Sequence, residues 1–375
     1  MTVLKFALIG CGKVAIKHLK AVQYQHRDLQ LTALVDTQLA AAAALLAKCG
    51  FSARDAAAIP VFADVQTMLD TVHPDLVAIT TPSGSHFPIG SAAIAAGAHV
   101  LIEKPLTLSL PESEQLLAAA KAKGVQIAVG HMYRFFPLVQ AIEKDLRAGV
   151  FGRILMGDVK VRWGHDQAYY DQAAWRGTWA QDGGALMNQS IHAFDLMTWL
   201  LGSPVVAASG WIDRLTHQME AEDFGMGMLR LANGSYCQLE GTTNTDPKRQ
   251  EATFYILGTE GEIRGGIMAG TPHIEIRDRK GHNLTGRYLR RFFAAKWREG
   301  GLGAIRQLTN AHSGLYGDLV RAIRTDTAPL ADGESGRAAV ELVLAIYESA
   351  KTGRTIPLPV QNFTLEDMRD FFPKN

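Results

Sequence analysis

The sequence predicts an α/β protein in which a doubly wound parallel sheet is followed by a second domain built around an antiparallel sheet. Its length of 375 residues exceeds what a single hydrophobic core usually contains. The first third alternates short apolar runs with helical patterns, whereas the later segments follow one another through hairpin turns. We place the two domains at residues 1–130 and 131–375.

Composition and charge are those of a soluble globular protein. The chain is 47% hydrophobic and carries 38 basic and 37 acidic residues without long runs of like charge, so neither nucleic acid nor a membrane surface is an expected partner. Cys11, Cys49 and Cys237 are far apart and odd in number, which predicts free thiols and no metal site. We find no signal-peptide pattern and no long apolar run, and we therefore expect a cytoplasmic protein.

A glycine-rich turn follows the first apolar run. Residues 10–15, GCGKVA, fit the pattern G-x-G-x-x-G/A between a strand and a helix. The first glycine permits the tight turn, the second lets the backbone approach a pyrophosphate, and the small alanine allows close helix packing. The free N–H groups of the helix would then face the phosphates. A purely structural turn is the alternative, but we predict that this loop binds a dinucleotide through Gly10, Gly12, Lys13, Val14 and Ala15.

The second strand, LQLTALVD, ends in Asp36, about twenty residues after the glycines, where such folds bind the adenosine ribose. A carboxylate there accepts hydrogen bonds from the ribose hydroxyls and repels a 2′-phosphate. Thr37 and Gln38 follow, with no arginine beside them. Asp36 and Thr37 therefore favour NAD over NADP, and a solvent-exposed aspartate at a strand end is the alternative.

Three later strands, within residues 74–82, 98–106 and 125–135, also end in polar residues. Ligands of open α/β sheets bind beyond the carboxyl ends of the strands. We therefore predict cofactor contacts and substrate contacts at these strand ends. The cofactor set is Thr80, Thr81, Pro82, Ser83, His86, Glu103 and Lys104, and the substrate set is Tyr133 and Arg134.

The turn Glu103-Lys104-Pro105 follows four apolar residues. A lysine at the mouth of a buried strand is partly desolvated, which lowers its pKa toward neutrality and suits it to exchange a proton with a substrate hydroxyl. Glu103 would bind the nicotinamide ribose or orient the lysine, and Pro105 fits a cis peptide. A solvated lysine is the alternative.

Residues 175–202 combine three tryptophans, a Gly183-Gly184 pair and a polar ladder. The sequence predicts a helix after the glycines, on which Asn188 and His192, four residues apart, share a face, as do His192 and Asp195. One interpretation is a well-packed helix, and the other is a substrate pocket.

The remainder of the chain predicts hairpins. Asn233-Gly234 lies between two alternating segments, and a second glycine-bearing turn falls within residues 251–266. A helix is expected over residues 335–353, ending at Gly353. Residues 281–311 are basic, and their pattern assigns them to no element.

The glycine loop, the Glu-Lys-Pro turn and the block GGALMNQSIHAFD, in this order, resemble the glucose-fructose oxidoreductase / inositol dehydrogenase (Gfo/Idh/MocA) family over essentially the whole chain. The resemblance implies a Rossmann domain followed by an α+β domain with a large, mostly antiparallel open sheet, used for contacts in a homodimer or homotetramer. It also implies reversible hydride transfer between nicotinamide and a sugar or cyclitol carbon, with Lys104 and His192 as the catalytic residues.

Oxidising an alcohol requires removal of the hydroxyl proton, for which a neutral histidine is suited. Lys104 can stabilise the developing alkoxide or share the proton relay. Which of Lys104 and His192 is the base stays open.

Asn188 departs from the aspartate of many family members. The stretches TTPSGSH, YYDQAAWRGTWAQDGG and EAEDFGMGMLRL resemble the branch of UDP-N-acetylglucosaminuronate 3-dehydrogenases, which oxidise a sugar C3 hydroxyl. In that branch Asn188 and His192 would face the substrate. Aromatic residues and an arginine able to pair with a carboxylate or phosphate would line the sugar side of the pocket: Tyr169, Tyr170, Trp175, Arg176 and Trp179. Alternatives are an inositol or free-sugar dehydrogenase, a 3-ketosugar reductase, an NAD-dependent glycosidase and an inactive nucleotide-binding protein.

Overall fold

The computed structural model describes residues 2–306 and 311–373 and divides them into two compact units. The first unit comprises residues 2–135 and 311–337, and the second comprises residues 136–306 and 338–373. Residues 311–337 thus belong to the first unit, although the predicted division into 1–130 and 131–375 placed them in the second domain. They return because their helix packs on the first helix of the chain.

The strands form two separate sheets, of six strands in the first unit and eight in the second. The strands are, in chain order, β1 (Leu4–Ile9), β2 (Leu29–Val35), β3 (Val61–Phe62), β4 (Leu76–Ile79), β5 (His99–Ile102), β6 (Ile127–Val129), β7 (Ile154–Arg162), β8 (Val205–Asp213), β9 (Phe224–Leu231), β10 (Tyr236–Thr242), β11 (Glu251–Gly258), β12 (Gly261–Met268), β13 (Thr271–Asp278) and β14 (Ile356–Pro357).

Helices connect and cover both sheets. They are α1 (Ala15–Tyr24), α2 (Leu39–Lys48), α3 (Ala53–Ala57), α4 (Val65–Val72), α5 (His86–Ala95), α6 (Leu110–Lys123), α7 (Pro137–Arg147), α8 (Gln167–Asp171), α9 (Ile191–Leu201), α10 (Thr285–Arg306), α11 (His312–Thr325) and α12 (Gly333–Thr352). Short 3₁₀ turns span Ser83–Ser85, Met132–Phe135 and Leu365–Met368, and a π-helix spans Ala185–Ser190.

The first sheet is parallel, with the order β3-β2-β1-β4-β5-β6. One core packs α1, α2 and α11 against it, and another packs α4, α5 and α6. Burial of both faces explains why its strands read as unbroken apolar runs. The predicted doubly wound sheet is confirmed, and its order reverses between β1 and β4, where ligands of such folds bind.

The second sheet has the order β13-β12-β11-β7-β10-β9-β8-β14. Every strand pairing between its described residues is antiparallel except that of β7 with β10. One face packs on the π-helix, α9 and α12, and strand glycines let these helices approach: a Cβ at Gly157 would meet Met197, and one at Gly227 would meet Ile346. The other face alternates exposed and half-buried side chains. The predicted mostly antiparallel sheet is confirmed.

Two segments differ from the sequence-based expectation. The helix expected after Gly183-Gly184 begins as the π-helix and becomes α-helical only at Ile191. The segment 281–311, which the sequence left unassigned, contains α10, and residues 307–310 lie outside the described residues. Among the described helices, none is long and apolar enough to cross a membrane.

Candidate active site

The glycine loop between β1 and α1 has the geometry of a dinucleotide-binding turn. Gly10 has a φ of +92°, and a Cβ there would lie 2.9 Å from the Thr80 carbonyl carbon. A Cβ at Gly12 would meet nothing within 4 Å, so the backbone is open on that side. Ala15 begins α1 and is fully buried in the core, whereas Lys13 is exposed and Val14 half-buried.

Asp36 and Thr80 lie against this loop. The Asp36 carboxylate accepts the backbone N–H groups of Cys11, at 2.7 Å, and Gln38, at 2.8 Å. The Thr80 hydroxyl donates to the carbonyl oxygens of Ile9 and Gly10. The aspartate at the end of β2 is therefore held beside the loop, as predicted for a ribose ligand, and Thr80 braces the turn from β4. Thr37 is exposed.

The residues after β4 bond mainly to one another. The Ser85 hydroxyl donates to Thr81 Oγ1, Pro82 precedes the 3₁₀ turn and Ser83 is buried in it. The ring nitrogens of His86 lie 2.8 Å from the Pro105 carbonyl oxygen and 3.1 Å from that of Thr81. Burial lowers the pKa of His86, so the ring is neutral and joins two loops. The cofactor contact of His86 stays a prediction, and both of its ring nitrogens have partners within the protein.

The Glu-Lys-Pro turn leaves β5 with its glutamate buried and its lysine half-buried. The Lys104–Pro105 peptide is cis, as expected. Glu103 Oε1 lies 2.8 Å from His18 Nε2, and Oε2 accepts the backbone N–H of Lys104 at 3.3 Å. Of the two predicted roles for Glu103, these contacts favour the orientation of Lys104.

Tyr133 and Arg134 lie in a 3₁₀ turn after β6. Arg134 is buried, and its guanidinium donates to the Leu330 carbonyl oxygen at 2.9 Å. Tyr133 is half-buried. Arg134 thus ties the returning segment to the first unit, a structural contact that its polar sequence neighbourhood did not indicate.

In the second unit, the π-helix Ala185–Ser190 carries Asn188, and α9 carries His192 and Asp195. A π-helix bonds residue i to i+5, so four residues no longer make one turn. The face predicted to be shared by Asn188 and His192 on α-helical spacing is therefore wrong in its geometric basis. The Asn188 amide donates to Asp182, and Asp195 is buried.

The two glycines before this helix serve different purposes. Gly183 adopts a φ of +72°, which favours glycine. A Cβ at Gly184 would lie 1.9 Å from Glu222 Oε2, so only glycine fits there. Glu222 accepts the backbone N–H groups of Ala185, through its carbonyl oxygen, and Leu186, through Oε1. The glycine pair thus lets a buried glutamate bind the first turn of the helix.

Arg176 contacts two aromatic rings. Its guanidinium carbon lies 4.2 Å from the centre of the Tyr169 ring and 4.5 Å from that of Trp175. Its Nε is buried and has no acceptor in the part of the chain that the structure describes. His165 stacks on the other side of this group, 3.7 Å from the Tyr169 ring centre. The edge of a guanidinium is suited in general to bind a carboxylate or a phosphate.

Two of the aromatic residues predicted to line the sugar side are buried in this structure. Tyr170 donates its hydroxyl to Thr243 at 2.8 Å, and its substrate contact stays a prediction. Trp179 is also buried, with its ring edge-on to Tyr347 at 5.3 Å and its backbone N–H bonded to Glu220.

Several residues of this region were not selected from the sequence. Asp182 accepts the Gly177 backbone N–H and the Asn188 amide, and it directly precedes the glycine pair. His165 has its pKa lowered to about 4 by burial.

In the first unit, His18 was not selected from the sequence either. It falls on the apolar face of α1 with Ala15, Leu19 and Val22, a spacing that predicts a buried histidine in need of a partner.

These features fit a dinucleotide in the first unit: an open backbone at Gly12, a helix N-terminus and a carboxylate beside the loop. The second unit offers a histidine on a helix, an amide and a stacked arginine. Such groups can bind hydroxyls and an anion and can move a proton.

Comparisons with known proteins agree with this chemistry. The oxidoreductase family with an NAD-binding Rossmann fold (GFO_IDH_MocA) matches residues 4–131, and the GFO/IDH/MocA C-terminal domain matches residues 139–264. The crystal structure of the WlbA dehydrogenase from Bordetella pertussis, in complex with NADH and UDP-GlcNAcA, is 30% identical, with a TM-score of 0.80 over 96% of this chain and 100% of that one.

Among the curated relatives, two cover almost the whole chain. D-Glucoside 3-dehydrogenase of Escherichia coli K12 is 26% identical over 95% of this chain and 97% of its own length. Inositol 2-dehydrogenase of Rhizobium meliloti is 24% identical over 96% of this chain and 100% of its own.

Proposed function

The chain belongs to the Gfo/Idh/MocA family of NAD-binding oxidoreductases, and from that premise we propose that it oxidises a secondary hydroxyl of an anionic sugar, specifically C3 of a UDP-sugar acid. The family assignment makes the chain a dehydrogenase of sugars or cyclitols that uses NAD. The position oxidised and the identity of the sugar are our proposal.

NAD supplies the acceptor for the hydride. We propose that the glycine loop, through Gly10 and Gly12 and the N-terminus of α1, holds the pyrophosphate, and that Asp36 holds the adenosine ribose. The two backbone N–H groups on the Asp36 carboxylate fix its direction and leave lone pairs for ribose hydroxyls. Thr80 supports the loop through hydrogen bonds to the carbonyl oxygens of Ile9 and Gly10.

Lys104 and His192 are the proposed acid–base residues. A neutral imidazole can take the hydroxyl proton, and an ammonium group can stabilise the alkoxide that develops as the C–H bond breaks. Asn188 cannot accept a proton at its amide, so we propose that it binds a sugar hydroxyl. We also propose that the protein works as a homodimer or homotetramer through the open face of the second sheet.

The proposal of an anionic substrate depends on the contacts of Arg176 with the two aromatic rings. A guanidinium restrained by contacts with two aromatic rings loses little further freedom when its edge binds a carboxylate or a phosphate. The buried Nε of Arg176 adds a donor whose acceptor would come from the ligand. The similarity to a WlbA dehydrogenase bound to UDP-GlcNAcA supports the same class of substrate.

The test is NADH formation, followed at 340 nm, with purified protein and NAD. UDP-GlcNAcA is compared with UDP-N-acetylglucosamine, which differs by a hydroxymethyl group in place of the carboxylate, and with glucosides, free hexoses and inositols. We expect NADH with the sugar acid and at least about a hundredfold less turnover in Lys104→Ala and His192→Ala, the usual scale for an acid–base group, while both variants still bind NADH.

Other outcomes assign other functions. NADH formed only from inositol or glucosides moves the protein to the activities of its two curated relatives. Cleavage of a glycoside without net NADH would identify an NAD-dependent glycosidase, and NADH binding without turnover on any substrate would indicate an inactive enzyme. If the protein is supplied with NADH and a 3-ketosugar, loss of absorbance at 340 nm would indicate a reductase.

A further inference from the structure

A buried polar cluster lies behind the Glu-Lys-Pro turn in the first unit. Glu103 Oε1 lies 2.8 Å from His18 Nε2 and 3.6 Å from His312 Nε2. His18 Nδ1 lies 2.9 Å from the Tyr316 hydroxyl. All four side chains are almost or fully buried. They come from three distant parts of the sequence: α1, the end of β5 and α11.

The backbone is shaped to accommodate this cluster. A Cβ at Gly130 would lie 2.8 Å from the Glu103 carboxyl group, so the glycine leaves room for it. Glu103 Oε2 accepts the backbone N–H of Lys104. The carboxylate is therefore bonded on one oxygen by the cluster and on the other by the turn.

We propose that His18, His312 and Tyr316 are positioning residues for the turn that carries the proposed catalytic lysine. They fix the Glu103 carboxylate, and its second oxygen in turn fixes the backbone of Lys104. Because His18 lies one turn into α1, the same contacts join the helix behind the glycine loop to the lysine. This inference rests on the role proposed for Lys104.

The protonation states are consistent with one chain of hydrogen bonds that runs from Tyr316 through His18 to Glu103. Burial opposes ionisation of Glu103, but the hydrogen bond from His18 and the nearby ring of His312 hold its pKa well below the ordinary range. Burial lowers the pKa of His18, so its ring is neutral. Burial also keeps Tyr316 protonated by raising its pKa. Tyr316 then donates to His18 Nδ1, and His18 Nε2–H donates to the carboxylate.

Two histidines and a carboxylate are also a common set of metal ligands. The distance of 2.8 Å between His18 Nε2 and Glu103 Oε1 is that of a hydrogen bond, and both nitrogens of His18 are already used. We therefore assign the cluster to hydrogen bonding.

The kinetic test compares His18→Leu, His18→Gln and Tyr316→Phe with the wild type, and His26→Gln, an exposed histidine just after α1, is the matched control. We expect His18→Leu to lower kcat by about tenfold or more, with KM for NAD changed less than about twofold. Without its donor the buried carboxylate binds a proton more readily, so the acid limb of the kcat profile should move to higher pH. The titratable groups near Glu103 that bear on this pH profile are His18, His86, His312, Tyr316 and Lys104.

A purely structural role would lower the amount of folded enzyme without moving the pH profile. Gln can donate from nearly the same place as His18 Nε2, so His18→Gln should recover part of kcat, and Tyr316→Phe should show a smaller loss. An unshifted profile in His18→Leu, or a kcat equal to that of His26→Gln, would overturn the proposal. A wild type that oxidises no alcohol would instead refute the proposed function.

Two measurements need no turnover. Nitrogen NMR of protein labelled at histidine should show His18, identified by its loss in His18→Gln, as the neutral Nε2–H tautomer without titration from about pH 5 to pH 8. Titration near the ordinary histidine value, about 6.5, would contradict the network. Elemental analysis should find no stoichiometric zinc or iron, and a bound metal would overturn the hydrogen-bonded assignment.

Discussion

The guanidinium of Arg176 contacts the rings of Tyr169 and Trp175, and its edge is the proposed contact for the substrate anion. If the edge binds the substrate anion, Arg176→Lys should raise KM for a UDP-sugar acid by about ten- to a hundredfold, the range expected for a charged hydrogen bond worth about 1.5–3 kcal/mol. The kcat should change less, since the anion is not carried by the reacting carbon and Arg176 is proposed to act in binding. Initial rates over a range of substrate concentrations provide the measurement.

The control for this prediction is Arg153→Lys, an exposed arginine of the same unit. It should leave KM unchanged. A neutral substrate that the enzyme also oxidises should lose nothing in Arg176→Lys. Equal losses for charged and neutral substrates would show that Arg176 only supports the fold around Tyr169.

Single residues also mark where sequence reasoning ends. Asp36 was predictable because a carboxylate at a strand end after a glycine loop has few other uses, and it lies beside Cys11 as expected. His86 and Tyr170 follow the same polar pattern, yet the ring of one joins two loops and the hydroxyl of the other bonds Thr243. Which partner a polar side chain finds depends on contacts far along the chain, which no local pattern contains.

At the scale of elements, the two glycines of the loop have different expected roles: Gly10 is needed for folding and Gly12 for binding the cofactor. Gly10→Ala places a methyl group 2.9 Å from Thr80 at a φ of +92° and should lower the free energy of unfolding by about 1–3 kcal/mol. Gly12→Ala meets no protein atom and should fold normally, but its methyl group would occupy the approach of a pyrophosphate. We expect its Kd for NADH to rise by about tenfold or more, since a misfitted contact of about 1.4 kcal/mol has that effect.

Urea unfolding and titration of NADH fluorescence measure the two effects separately. Gly50→Ala, at another positive φ far from the loop, controls for backbone strain alone. Normal NADH affinity in Gly12→Ala would place the phosphates elsewhere. Normal stability in Gly10→Ala would mean that the turn relaxes without its glycine.

A second testable feature is the buried Glu222, which accepts hydrogen bonds from the first turn of the π-helix. Burial raises the pKa of this carboxyl group from 4.5 to about 8, although the Leu186 N–H and the Tyr347 hydroxyl oppose the shift. Between these values the native state holds a proton that the unfolded state has lost. The free energy of unfolding contributed by Glu222 should therefore fall as pH rises from about 5 to about 8 and then level off.

Glu222→Gln removes this proton exchange while keeping the shape of the side chain. The difference in unfolding free energy between wild type and Glu222→Gln should decline with pH across that window, as measured by urea unfolding. Glu334→Gln, at an exposed glutamate, should give a constant difference. A difference that stays constant over this window would show that Glu222 is already ionised in the native protein.

Most elements could be predicted because their signals are local. Apolar runs identify the strands buried on both faces, such as β4 and β5, and Asn233-Gly234 identifies the hairpin between β9 and β10. The π-helix could not be predicted, because it depends on Glu222, more than thirty residues away, bonding the turn after Gly184. Its residues carry an ordinary helical pattern.

The whole chain shows the same division between local and distant information. Helix α11 has an apolar face at Leu315, Tyr316 and Leu319, which predicts burial but not against which partner. Its place is set by α1, and the backbone N–H of Val129 bonds the Ala331 carbonyl oxygen. Two consecutive domains were therefore the simplest prediction, and the return of residues 311–337 to the first unit needed the structure.

The open face of the second sheet supports the last prediction, that the protein self-associates through it. Exposed side chains stand on four adjacent strands there: Trp211 is 67% exposed, Tyr236 51% and Met228 46%, with Met156 beside Tyr236. Large apolar patches of this kind are rare on monomers and mark interfaces. A twofold axis would bring each patch against its own copy.

Trp211→Glu combined with Met228→Glu should therefore convert a dimer or tetramer into a smaller species, because two charges per copy would be buried without partners. Light scattering after size exclusion at micromolar concentration gives the mass. Tyr24→Glu, an exposed aromatic of the first unit, should leave the assembly intact. A wild type that elutes as a monomer, or a double variant that keeps the wild-type mass, would show that this face is not the interface. Loss of mass only in the double variant would locate the contact on β8 and β9.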